Sequence, residues 1–161
     1  MTLDGHTIHV VPWSQTHVPW LTYAIGAFLE TGLTQGGDML ATPRNIETYL
    51  TLGLRGAETG DPCLLAVIDE MPVSYIEWIE FPPIADTKWK SINAIGSYTA
   101  PQWRNRTISK KLHEVAFTIS QTKGYERVTG LVFNTNTLGF RELCVNRGWW
   151  PMSTNIELRV P

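Results

Sequence analysis

Charge is scarce in this sequence. Asp, Glu, Lys and Arg make up 17% of 161 residues, the formal net charge is −2, and the longest basic run is the pair Lys110-Lys111. Binding along a phosphate backbone needs clustered positive charge, so a general nucleic-acid binder is disfavoured. Long apolar runs are missing too. The longest aliphatic stretch covers residues 64–68, far short of the roughly 20 residues of a bilayer-spanning helix. The opening residues Met-Thr-Leu-Asp-Gly-His have neither the basic nor the apolar section of a secretion signal. Cysteine is limited to Cys63 and Cys144, which form no spaced pair. Free thiols in a reducing, cytoplasmic setting are therefore expected, where the sequon Asn105-Arg106-Thr107 is not glycosylated.

Aromatic residues are plentiful, at 11% with seven tryptophans. Buried rings contribute large apolar areas, so most are expected in the core or a pocket wall. The length suits one domain over residues 1–161. Alternation suggests a first strand over residues 6–11. Helical spacing of Trp20, Leu21, Ala24, Ile25 and Phe28 places a helix over residues 17–29. Thr42-Pro43 starts a second helix, threonine as N-cap and proline at the first helical position, and Gly56 and Gly60 are read as its close. A hairpin follows, with strands over residues 63–68 and 73–81. A fourth strand spans 91–100. A third helix over 107–122 carries Ile108, Leu112, Val115 and Ile119 on one face. A fifth strand (126–133), a fourth helix (137–147) and a last strand (155–160) complete the order. The expected fold class is α/β, a mixed sheet flanked by helices.

The segment Ser97-Tyr-Thr-Ala-Pro-Gln-Trp-Arg-Asn-Arg-Thr-Ile-Ser-Lys-Lys-Leu112 runs from a strand through a short loop into a helix N-terminus. Unpaired N–H groups of a first helical turn, with the positive end of the helix dipole, favour an anion. Arg104, Arg106 and Lys110 add charge there, and no acidic side chain opposes it. A diphosphate is the natural guest.

In these residues the sequence resembles the GCN5-related N-acetyltransferases. Their cofactor turn reads Pro-x-x-Arg/Gln-x-x-Gly-x-Gly/Ala before a helix, and Pro101, Trp103, Arg104, Thr107, Ile108, Ser109 and Leu112 fall in that register. Residues 134–149 resemble the family's second cofactor segment, an asparagine-started helix ending in Gly-Phe. The hairpin beginning at Cys63 resembles its second and third strands. The resemblance implies a three-layer α/β/α domain with a mixed, twisted sheet splayed between strands 4 and 5. It implies acetyl-CoA as co-substrate, with the backbone of Tyr98, Thr99 and Ala100 along the pantetheine. Arg104, Asn105, Arg106, Thr107, Ile108, Ser109 and Lys110 would surround the pyrophosphate, and Asn136 would add a further cofactor contact. A primary amine would then attack the thioester directly.

Three departures stand out. Both turn glycines are replaced, by Thr107 and Ser109. The family's frequent tyrosine acid is replaced by Cys144, whose thiol has a reference pKa of about 8.5; packing as a small apolar residue on the inner helix face is the better account of that cysteine. The family's strand-4 glutamate is Asn93, leaving Glu77 and Glu80 on the third strand as substitute bases, on opposite faces by alternation. The parts that the resemblance makes the acceptor pocket are aromatic (Trp13, Trp20, Tyr23, Phe28, Phe81, Trp89), which suits an apolar acceptor and which core packing explains as well; Glu30, Glu80 and Asp86 could attract an ammonium. His6 and His9 face opposite sides of a strand, which argues against a metal pair, and His113-Glu114 suits a surface or capping role.

The expected activity is N-acetyl transfer to an amine on a small molecule or a protein, with a homodimer left open and no membrane partner. Two alternatives stay open. One is a catalytically retired module of the same fold that binds CoA or a partner. The other is an enzyme of this fold modifying a nucleic-acid or other macromolecular component.

Overall fold

The computed structural model describes residues 2–3, 5–34, 39–80, 90–104 and 107–130. Its centre is a six-stranded sheet in chain order: β1 (Thr2–Leu3), β2 (His6–Pro12), β3 (Cys63–Ile68), β4 (Met71–Ile79), β5 (Ser91–Thr99) and β6 (Arg127–Gly130). The first five strands pair antiparallel, and β6 lies parallel to β5. A parallel pair needs a crossover connection, here α3 (Ile108–Thr122). The short β1, paired to β2 at Thr2↔Thr7, has no counterpart in the sequence reading.

Two apolar clusters set the layers. Leu64, Ala66, Ile76, Trp78 and Ile92 meet Ile108, Leu112 and Ala116 of α3 on one face. Cys63, Leu65, Tyr75, Ile79 and Tyr98 meet α1 (Val18–Thr34) and α2 (Pro43–Glu58) on the other. The architecture is a three-layer α/β/α domain with a mixed sheet. Strand β3 is continuously apolar because both its faces are covered. Asp69 and Glu70, both at positive φ (48° and 66°), form the tight turn into β4, matching the handedness of twisted strands.

α2 begins as its residues dictate, with the Thr42 side chain accepting the Asn45 N–H at 3.2 Å and Pro43 at the first position. Its end differs from expectation. Gly56 lies inside the helix, and the turn comes at Gly60, where φ is +80°. The reason is contact: a Cβ at Gly56 would stand 2.9 Å from Cys63 Sγ, and one at Gly53 would stand 2.1 Å from the Trp13 ring. These glycines let α2 lie directly on the sheet. α1 likewise runs on to Thr34, past the expected 29, with Leu21, Ala24, Ile25 and Leu29 buried.

One irregularity in β5 bears on the site. Glu77 pairs with Gly96, but the next pair is Trp78↔Ala94, so Ile95 is an extra residue in β5. Ile92 and Ala94 pack toward α3, whereas Ile95, Tyr98 and Ala100 pack toward α1 and α2. The ladder to β6 covers Ser91↔Arg127 to Ala94↔Gly130. The splay implied between these two strands, the helix over 137–147 and the strand over 155–160 concern residues beyond Gly130, outside the described set.

Candidate active site

Chain from β5 passes through a short helical turn, Pro101–Trp103, and enters α3 at Ile108. Thr107 is the N-cap residue, and its backbone is left-handed, at φ 61° and ψ −1°. That conformation costs an L-residue roughly 1–2 kcal/mol and is hardest for a β-branched one. It is the conformation glycine adopts freely. The Thr107 side chain makes no capping bond, and the first turn holds no acidic residue. The helix's own ladder starts with Lys111 N–H to the Thr107 carbonyl at 3.0 Å, so the earlier N–H groups have no intrahelical acceptor.

Ser109 behaves differently from Thr107. It sits within the helix, and its backbone is not among those at positive φ. The His113 Nδ1–H donates to its carbonyl at 2.6 Å. Ile108 is an anchor, 1% exposed in the core. Lys110 is exposed and lies 4.0 Å from Glu114, one turn further along α3. Arg104 is exposed at the loop's start. Its Nε–H donates to the Thr99 carbonyl at 3.1 Å, and its guanidinium lies 5.9 Å from the Tyr98 ring centre. Ser74 fixes the strand from the other side by donating to the Tyr98 carbonyl at 2.9 Å, and the Ala100 N–H donates to the Val73 carbonyl at 2.9 Å. A cleft of about 390 Å³ opens beside this strand end, with Trp20, Tyr23, Val73, Ala100 and Trp103 among its walls.

The two glutamates of β4 occupy unlike environments. Glu80 accepts the Tyr125 hydroxyl at 2.8 Å. Glu77 is fully buried, 0% exposed, toward α1 and α2. Among the described residues, neither carboxyl oxygen has a hydrogen-bond partner, and neither does the neighbouring Tyr75 hydroxyl. Both crowd Gly96: a Cβ there would stand 3.2 Å from Glu77 Oε2 and 3.4 Å from the Tyr75 hydroxyl. Burial holds the Glu77 carboxyl well above the usual carboxylate range. Burial, and then the Glu77 charge, raise the Tyr75 phenol. Asn93, on β5, accepts the Thr129 hydroxyl from β6 at 2.7 Å. Asn105, Arg106, Asn136, Cys144, Phe81, Asp86 and Trp89 lie outside the described residues.

The structure thus gathers Arg104, Thr107, Ile108, Ser109 and Lys110 around one helix start at the end of β5. Tyr75 and Gly96 have no place in the sequence reading, although a glycine inside a strand is a signal of close approach.

No family model matches the sequence, and no curated protein matches it. Solved structures do. A ribosomal-protein-alanine N-acetyltransferase from Brucella melitensis biovar Abortus 2308 superposes with a TM-score of 0.69 at 14% identity, covering 97% of this chain and 99% of that one. This is the GCN5-related N-acetyltransferase fold. The PaiA N-acetyltransferase from Thermoplasma acidophilum, in complex with coenzyme A, gives 0.64 at 18% identity over 87% of this chain and 88% of that one. The aminoglycoside N-acetyltransferase AAC(6')-Iy, in complex with CoA, gives 0.60 at 15% over 99% of both.

Proposed function

We propose that the protein is an acetyl-CoA-dependent N-acetyltransferase whose acceptor is a primary amine. The observation that carries this reading is the strained backbone of Thr107. A threonine held left-handed at an acid-free helix start keeps the shape of a diphosphate cradle after its glycine has gone. Arg104 and Lys110 supply positive charge on either side of it. Solved neighbours of the same fold are complexes with CoA, which supports the same guest here. The pantetheine would follow the backbone of Tyr98, Thr99 and Ala100, bringing the thioester toward the middle of β5. The amine's lone pair would then attack the thioester carbonyl, forming the C–N bond as the C–S bond breaks.

Thermal unfolding with CoA tests the proposal. A ligand that binds only the folded state raises the melting temperature by mass action, by an increment that grows with the logarithm of concentration. No shift at millimolar CoA would sink the cofactor assignment.

A further inference from the structure

Strand β5 is paired unequally along its two edges. Its ladder to β4 runs on to Ser74↔Thr99, while among the described residues its ladder to β6 ends at Ala94↔Gly130. The Ala100 N–H donates to the Val73 carbonyl, and successive residues of an antiparallel strand turn their polar groups to alternate sides. The N–H and C=O of Thr99 therefore point away from β4. Tyr98 shows the same alternation, its carbonyl facing β4 and accepting the Ser74 hydroxyl at 2.9 Å. A strand edge of this kind is a template for any extended chain that carries amides.

The protein covers that edge itself at one point. Pro101 begins a single helical turn, closed by the Trp103 N–H to the Ala100 carbonyl at 2.8 Å and the Arg104 N–H to the Pro101 carbonyl at 3.3 Å. The turn folds the chain back, so Arg104 lies over the strand it has just left. Its Nε–H donates to the Thr99 carbonyl at 3.1 Å, and its guanidinium stands 5.9 Å from the Tyr98 ring centre. Among the described residues no carboxylate pairs with Arg104.

A neutral carbonyl and a ring face are modest partners for a guanidinium. A phosphate group takes the same fork through two charged oxygens, in bonds about twice as strong. Thr107, at the acid-free start of α3, follows three residues later. A diphosphate held there competes for Arg104 on favourable terms, and the Thr99 carbonyl is then uncovered.

We infer that Arg104 determines specificity for the acyl donor: it caps the Thr99 carbonyl in the free protein, which disfavours pantetheine thioesters without a diphosphate, and a diphosphate draws it off and opens the strand edge. This rests on the N-acetyltransferase reading. The donor class selected is a thioester whose pantetheine arm carries a diphosphate, and the class disfavoured is the same thioester on a bare arm. Phosphate binding and pantetheine pairing are thereby coupled, each strengthening the other by the same factor.

The test is calorimetric titration of the whole protein with CoA, with pantetheine, and with pantetheine in saturating inorganic pyrophosphate. Pantetheine and pyrophosphate are separate pieces of one ligand, so both fit at once. In wild type, pyrophosphate is expected to tighten pantetheine about fivefold, the factor for one net hydrogen bond. Arg104→Ala should tighten pantetheine about fivefold without pyrophosphate, weaken CoA about tenfold and abolish the coupling. The opposite signs are the signature, because losing a plain binding contact strengthens neither ligand. Wild-type pantetheine affinity that ignores pyrophosphate overturns the inference, and this arm needs no variant. So does an Arg104→Ala protein that binds pantetheine no more tightly, or pantetheine that binds neither protein at about 10 mM. CoA binding that persists through those failures leaves the cofactor reading standing, whereas wild type that binds no CoA overturns that reading.

Discussion

The Lys123 ammonium lies 2.5 Å from Asp61 Oδ1, joining the end of α3 to the segment that leaves α2. Asp61 is 8% exposed. It also accepts the Tyr125 hydroxyl at 3.3 Å on the same oxygen and the Glu80 N–H at 3.0 Å on the other. Lys123 further donates to the Thr59 carbonyl at 3.0 Å. Helices on opposite faces of the sheet, and the strand between them, thus close on one buried carboxylate. Removing one partner strands the others, so Asp61→Ala is expected to lower stability by about 3 kcal/mol. In urea unfolding, Lys123→Met on that background should cost little more, with a coupling above about 1 kcal/mol. Additive effects would show that the cluster is not one unit.

The two residues that replace the turn glycines should respond with opposite signs. Thr107→Gly releases left-handed strain, and after the entropy cost of a new glycine the fold should gain up to about 1 kcal/mol. Ser109→Gly places glycine in a helical turn and should cost about 0.5 kcal/mol. Melting temperatures of the two single variants separate these cases. A destabilised Thr107→Gly would mean that the hydroxyl's local contacts outweigh the strain.

Arg104 is exposed and meets the end of β5 through one carbonyl and one ring, so Arg104→Glu should fold with a nearly unchanged melting temperature. Its charge reversal beside the proposed diphosphate site should weaken CoA by tenfold or more, about 1.4 kcal/mol. Calorimetric titration with CoA checks this. Unchanged affinity would place the phosphates elsewhere.

Glu77 should write itself into the pH dependence of stability. Its folded pKa is raised by burial, so above about pH 4.3 the unfolded chain sheds a proton that the folded chain keeps. Folded protein then binds more protons than unfolded, and stability falls with rising pH by about 1.4 kcal/mol per unit until the buried group ionises. Below the unfolded value the penalty vanishes. Glu77→Gln removes this slope, so its advantage over wild type should grow between pH values of about 5 and about 7. Parallel stability curves would show that the carboxyl is not held protonated.

Element order and layers were legible because they follow from local signals. Thr42-Pro43 starts α2 in the sequence and in the structure, and the apolar run of β3 needs both faces covered. What the sequence did not reveal depends on approach between distant segments. Gly56 reads as a helix end until Cys63 is seen 2.9 Å from where its Cβ would be. Thr107 and Ser109 look equivalent in the turn pattern, yet only Thr107 has left-handed backbone. Glu77 and Glu80 were separable by face through alternation. Their difference in bonding came from Tyr125, which lies 45 positions from Glu80 in the chain, and from the bulge that sets Gly96 opposite Glu77. No periodicity announces an extra residue in one strand.

That extra residue acts as a phase shift in the chain. Before Ile95, even-numbered positions of β5 point to one helical layer; after it, even-numbered positions point to the other. An insertion or deletion in a surface loop changes length and little else. Deleting Ile95 would carry every later position to the wrong side, turning Tyr98 and Ala100 toward α3 and taking Gly96 out of its close contact with Glu77. The strand would keep its composition and its hydrogen-bonding capacity while its two faces exchanged contents. In a lineage descending from this chain, loops are free to drift in length, and the residue count between Ala94 and Tyr98 is not.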